Sequence, residues 1–195
     1  MNNKERAVEY WSVGQQFLQL SSFTSEKIAK SGNKSIILSD RPLSIREIDR
    51  KTKWSDLSIS IPVLFNFYHG IELILKGYII FSNNEDRTTH RISNLLEYIS
   101  EQIGKDNEFI ILLNKYINPK ENIISDFLTK NNINIDNWYQ ALKYPESNQG
   151  IKYNHFSLKY GGDRTIEFWQ ELSKDSLEII RLARKYHLEN REDSD

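Results

Sequence analysis

FYHGIELILKGYIIF, residues 67–81, is apolar almost throughout and yet carries His69, Glu72 and Lys76 in its middle. At about 100° per residue, spacings of three and four place these polar side chains on one face of a helix. A helix that is apolar on its other faces is typical of a protein interior. Pro62 fits the first turn of this helix, where its missing N–H needs no partner. The stretch therefore predicts a central buried helix from about residue 62 to residue 82.

The polar face of this helix has two interpretations. Glu72 lies four residues before Lys76, which is the favourable order for an ion pair along a helix. A partly buried charge needs a partner, so we expect the two side chains to pair and to be buried against a neighbouring helix. In the alternative, His69 and Glu72 line a pocket or a subunit interface.

Helical periodicity also dominates the rest of the chain. Thr88 and Thr89 are N-cap candidates for a helix that Gly104 ends, and Asp163 is the expected N-cap of the last helix. Two short stretches favour extended backbone instead, SIILS at 35–39 and IKYNHFSLKYGG at 151–162. The helices are predicted at about 4–30, 62–82, 90–104, 107–117, 121–131, 136–143 and 163–188.

This order of elements predicts an all-α protein. Long amphipathic helices without alternating strands favour an antiparallel helical bundle, with a long irregular connection at 31–60 after the first helix. A length of 195 residues is typical of a single domain, here 1–188. The polar segment 189–195 is predicted to be a disordered tail.

Composition excludes several classes of function. The chain has no cysteine, which excludes disulfides, thiolate nucleophiles and Cys-ligated zinc. A net charge of -1 gives no overall attraction for nucleic acid. The N-terminal sequence MNNKERAVEYW lacks the apolar core of a secretory signal, so we expect a cytoplasmic protein. The charged residues inside the central helix argue against a membrane span.

Two sequence segments carry a resemblance to a known family. HGIELILKGYII is followed, after a short polar turn, by THRISNLLEYI, and ALKYPE stands at 141–146. Together they resemble the HEPN family of prokaryotic helical domains, over roughly residues 60–188. That family has a Glu and a Lys four residues apart, followed by a helix that a His begins. The matching positions here are Glu72, Lys76, His90, Ile92, Leu95 and Leu96.

The resemblance implies a helical bundle, often a homodimer, that works in toxin–antitoxin or anti-phage systems. It also implies, in many members, a metal-independent endoribonuclease with an Arg and a His separated by four to six residues. Arg181 and His187 are the matching pair in this chain, although Leu182 stands where a polar residue is usual. His would act as the acid or base, and Arg would stabilise charge on a phosphate.

Several interpretations stay open at this level. Six residues along a straight helix turn Arg181 and His187 about 120° apart, so their convergence needs a helix end, a bend or a second subunit. The alternative to an RNase is a non-catalytic module that binds a second copy or a partner protein such as an antitoxin. The central helix is apolar on more faces than one packed side requires, so further helices or a second chain must cover the surplus, and we expect a homodimer. His90 is predicted to belong to the same polar group as His69, Glu72 and Lys76, with a local role at its helix start or, in the alternative, a contact with substrate. No cofactor or metal site is predicted.

Overall fold

The computed structural model describes residues 2–83, 89–162 and 164–189, and this part of the chain is all-α. Its helices are α1 (Asn3–Lys30), α2 (Ile45–Thr52), α3 (Asp56–Asn83), α4 (Ile92–Ile103), α5 (Glu108–Ile117), α6 (Ile123–Asn131), α7 (Trp138–Lys143), α8 (Phe156–Lys159) and α9 (Thr165–Glu189). A 3-10 turn at Ile135–Asn137 precedes α7. The predicted all-α class and helical bundle are confirmed.

Helix α1 lies between α3 and α9 and runs antiparallel to both. Trp11 donates to the Ile74 carbonyl, and Ser21, further along α1, donates to the earlier Val63 carbonyl of α3. The Ser22 hydroxyl donates to the Ser173 carbonyl of α9. The small side chains of Ser21, Ser22 and Ser173 let the helices approach closely, since an interior tolerates little unfilled or overlapping volume.

Helix α3 is the centre of the bundle and contacts α1, α4, α7 and α8. Its length and apolar composition would allow it to cross a membrane, but its apolar side chains, from Val63 to Ile80, are largely buried by the protein itself. The sequence argument for a homodimer left two ways to cover the surplus apolar faces of α3, further helices or a second chain. Helices of the same chain cover them, so these faces no longer argue for a homodimer, which stays a prediction.

The region between α1 and α3 is more ordered than predicted. It contains α2, whose N-cap Ser44 forms a capping box with Glu47. Helix α3 begins at Asp56, so Pro62 stands inside the helix and not in its first turn. The proline ring removes the hydrogen bond that the Ser58 carbonyl would otherwise accept.

Other local predictions need correction or lie outside the described residues. No strand forms at 35–39, and the 151–162 segment contains helix α8 and one isolated bridge, between Glu146 and Lys152. Helix α4 has Arg91 as its N-cap, and the Thr89 hydroxyl accepts from the Arg91 N–H. Thr88, Asp163 and residues 190–195 lie outside the described part, while Glu189 ends α9.

Candidate functional site

The candidate site is centred on the carboxylate of Glu72, in the middle of α3. Glu72 Oε1 lies 2.7 Å from Lys76 Nζ and 2.8 Å from His90 Nδ1. Glu72 Oε2 lies 3.5 Å from His69 Nδ1. Helix α3 supplies His69, Glu72 and Lys76, which share one face of the helix. The chain that enters α4 brings His90 to the same carboxylate. The structure therefore brings together all four residues of the predicted polar group.

Burial differs strongly among the four side chains. Glu72 is buried and Lys76 is nearly so, whereas the His90 side chain is 58% exposed and the His69 side chain 28% exposed. The expected burial of the Glu72–Lys76 pair is present in the structure. The two imidazoles consequently form the solvent-facing side of this site, with the ion pair beneath them.

The environment of Glu72 favours its ionised form. Burial opposes ionisation, but the approach of His69 and Lys76, together with the positive charges of Lys76 and His90, outweighs that effect. The pKa of Glu72 is lowered to about 2 from an ordinary value of 4.5. Glu72 is therefore a carboxylate throughout the neutral range and holds its cationic partners in place.

Aromatic rings fix the two histidines from the sides. The His69 ring packs against Phe17 of α1 and Phe65 of α3, with centroid distances of 4.7 and 6.0 Å. The His90 ring stacks on Tyr139 of α7 at 5.1 Å. Phe17 and Tyr139 were not predicted as part of the site, because they come from helices whose positions only the tertiary fold defines.

The arrangement can orient an imidazole. With Nδ1 of His90 on the carboxylate, its Nε2 faces away from Glu72, as in an acid–base group. Lys76, the cation on the same carboxylate, is already paired with Glu72. Over residues 2–83, 89–162 and 164–189, no group of His, Asp or Glu side chains is arranged to hold a metal ion.

Arg181 lies on the exposed side of α9, where acidic residues surround it. Its Nε and Nη2 donate to the Glu178 carboxylate at 2.8 and 2.6 Å, and Glu108 of α5 lies 3.8 Å from Nη2. It also lines a shallow groove of about 600 Å³ with Leu177 and Leu188. The guanidinium is thus occupied by carboxylates of its own chain.

His187 has a different neighbourhood from Arg181. Its ring packs edge-on against Trp11 of α1 at 5.2 Å and Phe81 of α3 at 5.6 Å. Since Arg181 faces α5 and His187 faces α1 and α3, one chain does not bring the two side chains together. Any shared site for them would require a second subunit.

A cleft with a volume of about 1150 Å³ lies beside the connection between α5 and α6. Lys120, Asn122 and Arg164 are among the residues that line it, with Glu121 and Glu171 also present. Its mixed charges do not select one class of ligand. The residues predicted from the sequence lie elsewhere.

No family model, no curated protein and no solved structure matches this chain significantly. The similarity to HEPN domains therefore rests on the sequence segments quoted above. The Glu72, Lys76 and His90 positions of that resemblance are the three that meet at one carboxylate in the structure.

Proposed function

We propose that this chain is a HEPN-like helical module of a bacterial defence or stress system, which acts in the cytoplasm by binding a second copy of itself. One observation carries the self-association. Ile36, Leu38 and Ile45, in and beside the connection from α1 to α2, are 77, 95 and 77% exposed. Exposed large apolar side chains gathered in one segment are expected of an association surface.

The surroundings of Arg181 and His187 favour this role over RNA cleavage. A phosphate would have to displace Glu178 from Arg181, and the nearby Glu108 carboxylate would repel the incoming anion. His187 packs against Trp11 and Phe81, on a different side of α9. A general acid and a charge-stabilising donor must reach the same phosphate to work together.

Sedimentation equilibrium at micromolar concentration tests the association directly. We expect a species of twice the 23.0 kDa chain mass, in reversible exchange with the monomer. A single species at 23.0 kDa over the whole micromolar range would contradict the proposal.

An RNA cleavage assay in the presence of a chelator tests the competing function. We expect the purified protein to leave varied RNA substrates intact. Metal-independent cleavage that the His187→Ala and Arg181→Ala variants both lose by about a hundredfold would establish the RNase instead. Circular dichroism of each variant checks that its fold is retained.

A further inference from the structure

Among the residues that the structure describes, none forms a backbone–backbone hydrogen bond with the segment from Lys34 to Asp40. The last backbone bond before it joins the Asn33 N–H to the Ile28 carbonyl, and the next along the described chain joins Glu47 to Ser44. The segment contains no proline, and Pro42 follows it. A row of unpaired N–H and C=O groups of this kind is a template for another strand.

Side chains alternate from Lys34 to Leu38, which indicates that this part of the segment is extended, and the chain bends at Asp40. Ser35 and Ile37 are partly buried and line a groove with Leu43 and Ile48. Lys34, Ile36 and Leu38 are exposed between them, and Ser39 and Asp40 are exposed at the end of the segment. Alternation with a period of two is the geometry of a β-strand. The solvent-facing side has an apolar centre, with a positive charge at one end and a negative charge at the other.

The sequence KSIILSD of this segment is complementary to itself when it is paired antiparallel about Ile37. Lys34 then lies opposite Asp40 of the second copy, Ser35 opposite Ser39, and Ile36 opposite Leu38. Each pair stays on one face, since the two positions in it differ by an even number. Opposite charges, hydroxyl pairs and large apolar pairs are the cross-strand combinations that stabilise antiparallel strands.

We infer that Lys34–Asp40 is the self-association site, where two copies form a two-stranded antiparallel ribbon with Ile37 on the twofold axis. The inference rests on the proposed self-association and names the contact that produces it. The occupant is a second copy because the charges at the two ends of the segment match each other. A twofold interface of this kind buries the same residues on both subunits.

Helix α2 extends the contact beyond the ribbon. A two-stranded ribbon alone is marginally stable in water, so further apolar surface must be covered. Ile45 and Ile48 of α2 are both exposed, and α2 follows the segment after only a few residues. The pairing would therefore bring α2 of each copy to the edge of the same interface.

A charge exchange tests the register. Lys34→Asp places an acid opposite Asp40, and Asp40→Lys places a base opposite Lys34, twice in each dimer. We expect either change to weaken the dimer about tenfold, because like charges directly opposite are destabilising. The double variant Lys34→Asp/Asp40→Lys restores opposite charges and should return the dissociation constant to near the wild-type value. A double variant no better than the single ones would overturn the pairing.

Cysteine cross-linking tests the twofold axis, and the absence of natural cysteine makes the experiment clean. Under mild oxidation we expect Ile37→Cys to form a disulfide-linked dimer. Ile36→Cys and Leu38→Cys should each remain largely unlinked alone and should cross-link when mixed, because these positions face each other. Equal cross-linking at all three positions, or none, would overturn the register.

The outcomes separate this inference from the proposed function. A wild-type chain that stays monomeric would contradict both the proposed self-association and the ribbon. A wild-type dimer whose affinity is unchanged by Lys34→Asp and Asp40→Lys removes only the ribbon. Leu188→Lys, at an exposed apolar position on α9, is the control for a general loss of surface hydrophobicity and should leave the dissociation constant unchanged.

Discussion

At the residue scale, Glu72 connects three cationic or potentially cationic side chains through one buried carboxylate. Two of its partners, His69 and Lys76, belong to its own helix, and His90 belongs to the segment leading into α4. Loss of either side of a buried ion pair leaves an uncompensated charge, which is far more costly than loss of an exposed pair. The Glu72 group therefore stabilises the junction between α3 and α4.

We predict that Lys76→Ala lowers the free energy of unfolding by about 3 to 5 kcal/mol, the range for removing one partner of a buried pair. Lys30→Ala is the matched control. Lys30 and Glu26 have the same spacing and the same 2.7 Å separation as Lys76 and Glu72, but both lie in solvent. We expect the control to change stability by less than about 0.5 kcal/mol in urea denaturation. Equal effects from the two variants would contradict the buried pair.

The lowered pKa of Glu72 predicts a contribution to stability that depends on pH. The unfolded chain, with an ordinary pKa of 4.5, takes up the proton before the folded chain, with a pKa of about 2. The contribution is therefore fully present above pH 4.5 and is lost as the pH falls through about 2.

Comparing the wild type with Glu72→Gln measures this contribution. The difference in unfolding free energy should be on the order of 3 kcal/mol or more near neutral pH and should shrink between pH 4.5 and 2. Denaturant titrations at a series of pH values provide the measurement. A difference that stays constant down to pH 2 would show that the Glu72 carboxyl is not stabilised in its charged form.

The Glu72–Lys76 pair was predictable from sequence because spacing along one helix determines it. Its contact with His90 depends on how α4 packs against α3, and the sequence predicted only a local role for His90 at its helix start. The same limit applies to Arg181 and His187. Their spacing could be measured on a helix, but their different neighbours, Glu108 for one and Trp11 for the other, depend on the packing of α9.

At the element scale, local signals predicted the longer helices and failed where a distant residue completes a terminus. Helix α4 is an example, because Thr88 and Thr89 looked like its N-caps. Its second residue, Ser93, instead donates its N–H and hydroxyl to Asp136, which precedes α7. A partner 43 residues away leaves no local pattern. The strand predicted at 35–39 fails for a different reason. The described part of the chain contains no other strand with which this segment could pair.

Close contact between α1 and α3 depends on Gly77. A Cβ atom added there would lie 2.5 Å from the indole of Trp11, whose Nε1 donates to the Ile74 carbonyl. Alanine is more favourable than glycine inside a helix. We nevertheless predict that Gly77→Ala destabilises the protein by about 1 to 3 kcal/mol, the usual cost of an overpacked core.

Thermal unfolding with Ser12→Ala as a control tests this prediction. Ser12 is exposed on α1, so its replacement should be neutral or slightly stabilising through helix propensity. A Gly77→Ala variant as stable as the wild type would mean that Trp11 can move without cost.

At the scale of the whole molecule, the described helices bury a core but leave the segment Lys34–Asp40 without a backbone partner among the described residues. Helix α3 is covered on its apolar faces, and Trp138 and Trp169 are fully buried. Ile36 and Leu38 stand outside that core. If two copies cover them, folding and association are linked, because a partner that binds only the folded state stabilises it by mass action.

We therefore predict that the melting temperature rises with protein concentration, by about 1 to 3 °C for each tenfold increase above the dissociation constant. Scanning calorimetry over the micromolar range measures it. Ile36→Lys should remove this concentration dependence, since the variant places Lys opposite the apolar Leu38 at the centre of the ribbon. At low protein concentration, the melting temperature of the variant should match that of the monomeric wild type. Ile36 is 77% exposed in the single chain, so its replacement disturbs no internal packing. A concentration dependence that persists in Ile36→Lys would place the association elsewhere on the molecule. A wild-type melting temperature that does not change with protein concentration would exclude self-association.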